Sequence, residues 1–240
     1  MENVNTICVI TRYREQLDWI DFVLKFVDKV VIYNKGLNDL NIENDKISII
    51  NLPNVGRIDH TIAYHITTNW DNLSDKIIFI PASIYMCKFK GRYLEAIIKR
   101  IKSIEHFKGF YGPRFHIVNP KFNYTIDNYQ AEGNCNRNDN TFIKSEYSDF
   151  QEWKNALIDT RPMQYVSMRG MFIVCKENIK CINKQIYINL LNSLSVGDNI
   201  ENGHFAERIW AHLFRQYSFD VIKTLKTNEI PDNFNFNHCC

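Results

Sequence analysis

The sequence lacks the features that mark membrane, secreted and zinc-binding proteins. No apolar run among its 240 residues approaches the roughly 20 that a helix needs to span a bilayer. The N-terminus lacks the charged, apolar and small-residue order of a secretory signal. Seven cysteines are present, but no pair has the two-residue gap of a zinc knuckle. We therefore expect a soluble, intracellular, cytoplasmic protein with reduced thiols and no cysteine-bound metal.

Nucleic-acid and phosphate-loop signatures are absent as well. The net charge is only +2, and the richest basic run, residues 88–102, keeps apolar residues at helical spacing, which favours a solvated helix face. No Gly-X-Gly-X-X-Gly follows the first predicted strand, and no Gly-Lys-Ser/Thr follows any strand. These absences disfavour a nucleic-acid binder, a classical dinucleotide fold and a P-loop nucleotidase.

The composition is that of an ordinary globular protein with one bias. Apolar residues make up 45% of the chain and charged residues 23%, and this length is ample for a core. Isoleucine (32) and asparagine (28) fill a quarter of the chain. This bias is typical of an AT-rich genome such as that of a large DNA virus, which would place the protein in an infected host cell.

The stretch from Leu52 to Ser83 is the most informative in the chain. A predicted strand ends at Leu52, and a Pro-Asn-Val-Gly turn, an amphipathic helix, a polar loop and a second apolar strand follow. One buried helix stripe is predicted by apolar residues that recur every four positions, namely Ile58, Ile62, Ile66 and Trp70. Ligands of such a βαβ unit usually bind beyond the carboxyl ends of the strands, so we expect the functional site here.

The other segments predict a single α/β domain over residues 1–225, with a mainly parallel central sheet flanked by helices. Strands are predicted over Val4–Ile10, Val30–Tyr33, Lys46–Leu52 and Gln164–Cys175. Helices are predicted over Gln16–Phe26, Gly91–Phe107, Phe150–Ile158, Asn183–Leu194 and Gly203–Tyr217. A loop and hairpin insertion is expected around residues 107–150, and a frayed tail over 226–240. In the last helix Glu207 lies about 100° from the centre of the apolar face and Arg208 nearly opposite it, so we expect Glu207 to border a cleft and Arg208 to point outward.

A set of short motifs in this order resembles domain-of-unknown-function family 3431, which is similar to the GT-A glycosyltransferase fold. The matching pieces are Arg12-Tyr13, Asp18-Trp19-Ile20, Ile32 to Gly36, Leu52 to Arg57, His60-Thr61, Tyr64-His65-Ile66, Asp71 to Asp75, Ile78-Phe79-Ile80 and Glu207-Arg208-Ile209-Trp210. The likeness covers roughly residues 4–85 and 165–215. Two departures stand out: Ile58 replaces the usual Glu after Gly-Arg, and Pro81-Ala82 replaces the usual Gln-Gly.

The resemblance implies a GT-A-like fold and a glycosyltransferase that moves a sugar, with inversion, from a nucleotide-diphosphate sugar to a hydroxyl of a glycan or other acceptor. Most GT-A enzymes hold a divalent ion with an Asp-X-Asp motif after the strand that here ends at Pro81. Pro81-Ala82-Ser83 contains no carboxylate. We therefore expect an enzyme that needs no metal, or one that holds Mn²⁺ or Mg²⁺ elsewhere.

Without a metal, cationic side chains and helix N-termini must stabilise the departing diphosphate. Arg57, which opens the helix after Gly56, and Arg12, at the end of the first strand, are the predicted diphosphate ligands. The alternative for Arg57 is a surface salt bridge to Asp59 or Asp75.

Glu207 is the predicted general base, because GT-A enzymes commonly place a catalytic carboxylate near the start of a late helix. The alternative is a Glu that only stabilises the positive end of that helix.

The remaining predicted ligands lie at strand ends and helix starts. Nucleotide contacts are expected from residues at the ends of the first two strands, namely Thr11, Tyr33, Asn34 and Lys35, although a simple turn explains the last three equally well. Substrate contacts are expected from His60, Ser83 and His204, with a structural or capping role as the alternative for the histidines. His60 and His65 would lie about 140° apart on a helix, unlike the i, i+4 pair of zinc helices, so no metal site is expected there.

A non-catalytic GT-A-like module that binds a glycan or a protein is the main alternative. The missing Asp-X-Asp motif and Ile58 both favour it. An enzyme requires Arg57, Glu207 and Tyr33 to point into one pocket, whereas dispersed side chains would favour a binding role. A phosphate-ester hydrolase is disfavoured, because only Asp59, His60 and His65 could supply its acid and base groups.

Overall fold

A computed structural model of the chain describes residues 5–85, 109–112, 114–116, 123–125, 143–167 and 169–214. Within these residues the strands are β1 (Thr6–Arg12), β2 (Lys29–Asn34), β3 (Ile47–Asn51), β4 (Lys76–Pro81), β5 (Phe110–Tyr111), β6 (Arg114–His116), β7 (Tyr165–Ser167) and β8 (Phe172–Cys175). The α-helices are α1 (Ile20–Leu24), α2 (Arg57–Thr68), α3 (Phe150–Leu157), α4 (Lys176–Lys180), α5 (Lys184–Ser193) and α6 (Glu201–Phe214). Short 3-10 turns cover Trp70–Asn72 and Ala82–Tyr85.

Six strands form the central sheet in the order β3-β2-β1-β4-β8-β5. The first four run parallel, with β1 between β2 and β4, and β8 pairs antiparallel with both β4 and β5. Strands β6 and β7 form a separate antiparallel pair. The prediction of an α/β fold with a mainly parallel sheet flanked by helices is confirmed.

The sheet is buried on both faces, as parallel sheets are. Along β1, Ile7 and Val9 pack with α2 and α6 on one face, whereas Cys8 and Ile10 pack with α1 on the other. Each large apolar side chain buried in this way contributes about 1.5–3 kcal/mol relative to leaving it exposed. Helices α2 and α6 thus share a layer, and the first turns of both carry polar residues.

The predicted strand over Gln164–Cys175 is wrong, because two strands occupy that stretch. Arg169 and Gly170 both have positive φ, 74° and 57°, and reverse the chain between β7 and β8. A side chain at Gly170 would place its Cβ only 2.6 Å from Cγ2 of Ile58. This β7–β8 turn is therefore packed against the first turn of α2.

Several other predictions need adjustment. Helix α1 is shorter than Gln16–Phe26, and α6 begins before Gly203. The predicted helix Gly91–Phe107, most of the insertion around 107–150 and the tail 226–240 lie outside the described residues. In the part of the chain that is described, no helix is long and apolar enough to cross a membrane.

Candidate functional site

Polar and charged side chains gather where α2 and α6 approach each other, beyond the carboxyl end of β2. We call this set the α2–α6 cluster; it consists of Lys35, Arg57, Asp59, His60, His204, Glu207 and Arg208. Helix α2 supplies three of these residues in its first four positions, and α6 supplies three from its first eight. The cluster lies at the sheet edge where the βαβ pattern predicted a site.

Arg57 sits on a left-handed turn. Gly56 and Arg57 have φ of 55° and 53°, a conformation that costs a residue other than glycine about 1–3 kcal/mol. The backbone N–H of Gly56 donates to the carbonyl of Gly197 at 2.7 Å. A Cβ at Gly56 would lie 2.4 Å from the carbonyl oxygen of Leu194, so glycine is required there. The turn holds Arg57 in a strained position at the start of α2.

The guanidinium of Arg57 is exposed and has no carboxylate within ion-pair distance among the residues described. Asp75 pairs with Lys176 at 2.5 Å instead, and Asp59 is turned inward. Arg57 instead contacts His204, with Nη1 lying 3.4 Å from Nε2 of the imidazole. The surface salt bridges that were the alternative for Arg57 do not form in the structure.

Lys35 holds the other side of this turn. Its Nζ donates to the carbonyl oxygens of Val55 and Arg57, at 2.6 and 2.5 Å, and lies 3.5 Å from Nδ1 of His60. Burial lowers the pKa of Lys35 to about 7, and the negative charge of Asp59 opposes that shift. The amine is bonded to the protein itself, so its geometry supports positioning of the turn rather than the predicted nucleotide contact.

Asp59 ties α2 to α6. It is fully buried, and its Oδ1 accepts a hydrogen bond from Nε1 of Trp210 at 2.7 Å. Burial raises the pKa of Asp59 to about 7, and the negative charge of Glu207 adds to this shift, whereas Trp210, Arg57 and Lys35 oppose it. Arg57 lies two residues before Asp59, and Glu207 lies three residues before Trp210. The hydrogen bond between Asp59 and Trp210 therefore fixes the position of Arg57 relative to Glu207.

Sequence reasoning named Asp59 only as an alternative salt-bridge partner of Arg57 and as a possible acid or base of the disfavoured hydrolase, although its spacing held a further signal. Asp59 lies three and seven residues before Ile62 and Ile66, which are buried, so it belongs to the apolar face of α2. A carboxylate on an apolar face needs a donor, and a core-facing tryptophan can supply one.

The two histidines of the cluster are neutral. Burial, helped by the charge of Lys35, lowers the pKa of His60 to about 4. Burial, helped by the charges of Arg57 and Arg208, lowers the pKa of His204 to about 3. His204 lies inside α6 rather than before it, so the capping alternative does not apply. Both rings can therefore exchange hydrogen bonds at neutral pH without adding charge.

Glu207 is held by the β7–β8 turn. Its Oε1 accepts a hydrogen bond from the backbone N–H of Arg169, and Oε2 lies 3.7 Å from Nη1 of Arg208. The Glu207 side chain is 20% exposed. The carboxylate is thus positioned but remains in contact with solvent, as expected for a group bordering a cleft.

The prediction that Arg208 points outward is wrong. Its side chain is 11% exposed. Nη1 donates to the carbonyl of His204 one turn earlier, and Cζ lies 3.6 Å from the centre of the Tyr124 ring. Stacking on an aromatic ring and bonding to the first turn of α6 bring the guanidinium back toward the cluster, because a long side chain is not confined to the direction of its Cα–Cβ bond.

Arg12 is not part of this cluster. Its two terminal nitrogens pair with Asp39 at 2.7 and 3.1 Å. Nη1 also donates to Asn34 Oδ1 at 3.0 Å, and Nε donates to the carbonyl of Glu15 at 2.8 Å. Asn34 in turn donates to Asn51 Oδ1 at 3.2 Å. Arg12, Asn34, Asp39 and Asn51, which we call the Arg12 network, satisfy one another, and the charge of Arg12 is balanced.

Tyr33 also lies away from the cleft. It is 1% exposed, and its hydroxyl lies 2.9 Å from Nδ1 of His65 beneath α2. Its ring therefore has no free face on which a base could stack. An enzyme was expected to direct Arg57, Glu207 and Tyr33 into one pocket. The structure brings Arg57 and Glu207 into the same cluster, whereas Tyr33 lies apart from them.

The last two predicted ligands lie at neighbouring strand ends. The hydroxyl of Thr11, at the end of β1, is buried and has no hydrogen-bond partner among the described residues. Ser83 is partly exposed in the 3-10 turn after β4. Within the described ranges no three His, Cys, Asp or Glu side chains are grouped as metal ligands.

Comparison with known proteins assigns no family. A scan against protein-family models gave no match, and a search of the curated proteins found no similar sequence. The function is therefore argued from the geometry of the α2–α6 cluster.

Proposed function

We propose that the protein is a glycosyltransferase with a GT-A-like fold, which moves a sugar from a nucleotide-diphosphate sugar to an acceptor hydroxyl at the α2–α6 cluster. The observation that supports this most is the pairing of an exposed cation with a held carboxylate. Arg57 has no carboxylate partner among the described residues, and Glu207, whose carboxylate is partly exposed, lies one turn beyond the histidine that Arg57 contacts. Inverting sugar transfer without a metal requires both kinds of group in one cleft.

In the proposed reaction the acceptor oxygen attacks the anomeric carbon of the donor sugar while the bond from that carbon to the diphosphate breaks. Glu207 takes the proton of the attacking hydroxyl, and the bonding electrons leave with the diphosphate. Arg57 and the N-terminus of α2 stabilise the negative charge that develops on the leaving group. Attack from the face opposite the diphosphate inverts the anomeric centre.

The sheet topology supports the location. Strand order reverses at β1, because β2 and β3 lie on one side of it and β4 on the other. Ligands of open α/β sheets bind outside the carboxyl ends of the strands at such a switch point. The α2–α6 cluster lies at the same carboxyl edge, next to this switch point, with Lys35 directly following β2, the strand beside β1.

A non-catalytic module that binds a glycan or a protein through the same cleft is the second candidate. Three observations favour it: the end of β4 carries no carboxylate, Tyr33 is buried, and the charge of Arg12 is already paired. Such a module would keep Arg57 and Glu207 as polar contacts and would not need a nucleotide.

A thermal-shift screen against UDP, GDP and their sugars, with and without Mn²⁺, tests the proposal. A ligand at a hundredfold excess over its Kd stabilises the folded protein by about 2.7 kcal/mol. We expect a shift with one nucleotide, its loss in Arg57→Met, and its retention in Glu207→Gln. The Glu207→Gln protein should bind donor but lose turnover by about a hundredfold or more, because it cannot accept the proton.

The same screen can overturn the proposal. If no nucleotide at millimolar concentration shifts the wild-type protein, the transferase fails. Binding of a glycan in the absence of any nucleotide response would establish the second candidate. A shift that requires Mn²⁺ but survives Arg57→Met would remove Arg57 from the diphosphate site.

A further inference from the structure

We propose that Arg208 is the second cationic ligand of the diphosphate, acting with Arg57 from the other side of His204. This inference rests on the proposed function and names a residue that the sequence placed on the solvent side of α6. According to this inference, Arg57 and Arg208 of the α2–α6 cluster together form the binding site for the diphosphate.

The need for a second cation follows from charge. A nucleoside diphosphate leaves with at least two negative charges, and the proposed site has no Asp-X-Asp carboxylates to hold a metal. Arg57 supplies one positive charge. Arg12, the other predicted cation, is 3% exposed and already paired with Asp39. The side chain of Lys35 is bonded to two backbone carbonyls of the Gly56–Arg57 turn.

Arg208 has the position that the missing cation requires. Its Nη1 donates to the carbonyl of His204, and Nε2 of the same His204 lies 3.4 Å from Nη1 of Arg57. The two guanidinium groups therefore meet one residue of α6 from two directions. The positive charges of both arginines also disfavour protonation of His204, which stays neutral between them.

The positive charges of Arg57 and Arg208 are less well balanced by carboxylates than those of Arg12 and Arg161. Arg12 contacts Asp39 through two nitrogens, at 2.7 and 3.1 Å, and Arg161 pairs closely with Asp159. Arg208 lies 3.7 Å from Glu207, whose Oε1 is taken by the backbone N–H of Arg169. Arg57 has no carboxylate partner within the described part of the chain. Of the two arginines, only Arg208 lies near a carboxylate of the described residues, and at 3.7 Å that contact is long, which is an arrangement that favours an added anion.

Tyr124 gives Arg208 the rigidity of a ligand-binding group. The guanidinium carbon lies 3.6 Å from the ring centre, so the planar group stacks on the tyrosine face. Only Nη1 has a hydrogen-bond partner among the described residues, which leaves other N–H groups for phosphate oxygens. A fixed planar fork matches phosphate geometry better than an ammonium group does.

Isothermal titration of the wild-type protein and four variants tests the inference with UDP, GDP and inorganic pyrophosphate as probes. The variants are Arg57→Met, Arg208→Met, Arg208→Lys and Arg161→Met. We expect Arg208→Met and Arg57→Met each to weaken diphosphate binding about tenfold to a hundredfold, the usual effect of losing one charged hydrogen bond. Arg208→Lys should recover part of the loss, because it keeps the charge and loses the fork.

Arg161→Met is the matched control. Arg161 pairs with Asp159, which contacts His212 near the far end of α6, about 12 Å along the helix from His204. Diphosphate affinity should not change in this variant. If Arg208→Met lowers thermal stability strongly, Arg208→Lys, which retains the charge and the long stem, provides the comparison.

The outcomes separate this inference from the proposed function. If nucleotide binds normally to Arg208→Met and Arg208→Lys but is weakened by Arg57→Met, Arg208 is not a ligand and the transferase proposal stands. If pyrophosphate binds with dependence on both arginines but no nucleoside diphosphate binds, the anion site stands and the transferase proposal fails. If neither probe binds the wild-type protein, both fail.

Discussion

The Arg12 network and the α2–α6 cluster lie at the same carboxyl edge of the sheet and differ in how their charges are balanced. In the Arg12 network one guanidinium meets one carboxylate through two nitrogens, and the neighbouring amides complete the hydrogen bonds. In the α2–α6 cluster the cations outnumber the well-placed carboxylates, and one carboxylate, Asp59, is buried with a raised pKa. The comparison teaches that an arginine at this edge of the sheet is available to an anionic ligand only when the protein itself leaves its charge unbalanced.

Acid provides the largest expected difference between the two regions. Burial lowers the pKa values of His60 and His204 in the cluster to about 4 and 3, and that of His65, which lies deeper on the same helix α2, to about 4. As the pH falls below their ordinary value of about 6.5, the unfolded chain takes up protons that the folded chain cannot, so the free energy of unfolding decreases. Asp59, whose pKa burial raises to about 7, acts in the opposite direction, because there the folded chain holds a proton that the unfolded chain does not. This one proton offsets only one of the three that the histidines take up on unfolding.

The net difference is about two protons, which corresponds to a loss of roughly 2–3 kcal/mol of unfolding free energy per pH unit between pH 6 and 5. The Arg12 network should not contribute, because its hydrogen bond from Arg12 lowers the pKa of Asp39 and keeps that carboxylate ionised. Urea denaturation at pH 7, 6 and 5 measures the effect, and His65→Gln should flatten the curve by about one proton. Equal stability at pH 7 and 5 would contradict a neutral, buried histidine set.

The sequence predicted the features that depend on local patterns and missed those that depend on contacts between distant residues. Local patterns were enough for β1 to β4, α2 and α3, because period-two and helical apolar spacing is set by residues close in sequence. They failed for Arg208, whose direction depends on Tyr124, a residue 84 positions earlier in the chain. They also failed at Gln164–Cys175, where Arg169 adopts a positive φ that a non-glycine residue rarely adopts.

Sequence patterns predicted the region of the candidate cluster more readily than they predicted the contacts of its residues. The βαβ pattern pointed to the carboxyl edge of the sheet, and both Arg57 and Glu207 lie at that edge. Tyr33 was correctly predicted on the second strand and Lys35 in the turn after it, but which neighbour each side chain contacts depends on the packing of α2 over the sheet. Charge balance is a property of contacts, and the contacts of Arg12 with Asp39 and of Asp59 with Trp210 cannot be read from spacing.

Replacing Arg12 and Arg57 separately should give the next largest difference, which is a difference in the free energy of unfolding. Arg12→Met removes a buried guanidinium that donates to Asn34 and to the carbonyl of Glu15, so we expect the free energy of unfolding to fall by about 2 kcal/mol or more. The Asp39 contact adds little, because Asp39 is 51% exposed. Arg57→Met should change stability by no more than about 0.5 kcal/mol, since Arg57 is exposed and has no ion pair in the described structure.

Urea denaturation of both variants at pH 7, with Arg14→Met as an exposed control, measures this difference. Equal losses for Arg12→Met and Arg57→Met would mean that the charge of Arg57 is balanced inside the protein, and the contrast between the two regions would be lost.

The smallest difference isolates the hydrogen bond between α2 and α6. Trp210→Phe and Trp153→Phe each replace a fully buried indole, so the packing cost is similar in both. Only Trp210 donates to a buried carboxylate, at 2.7 Å, whereas Nε1 of Trp153 has no partner among the described residues. We expect Trp210→Phe to cost about 1.5 kcal/mol more than Trp153→Phe, because Asp59 then loses its donor.

The same pair of variants tests whether that bond positions the cluster. If it does, Trp210→Phe should weaken nucleotide binding in the titration while Trp153→Phe leaves it unchanged, even at temperatures where both proteins are fully folded. Equal stability of the two variants would show that the carboxylate of Asp59 finds another donor. A stability difference without a change in affinity would make the bond a packing contact between helices that does not govern where Arg57 lies relative to Glu207.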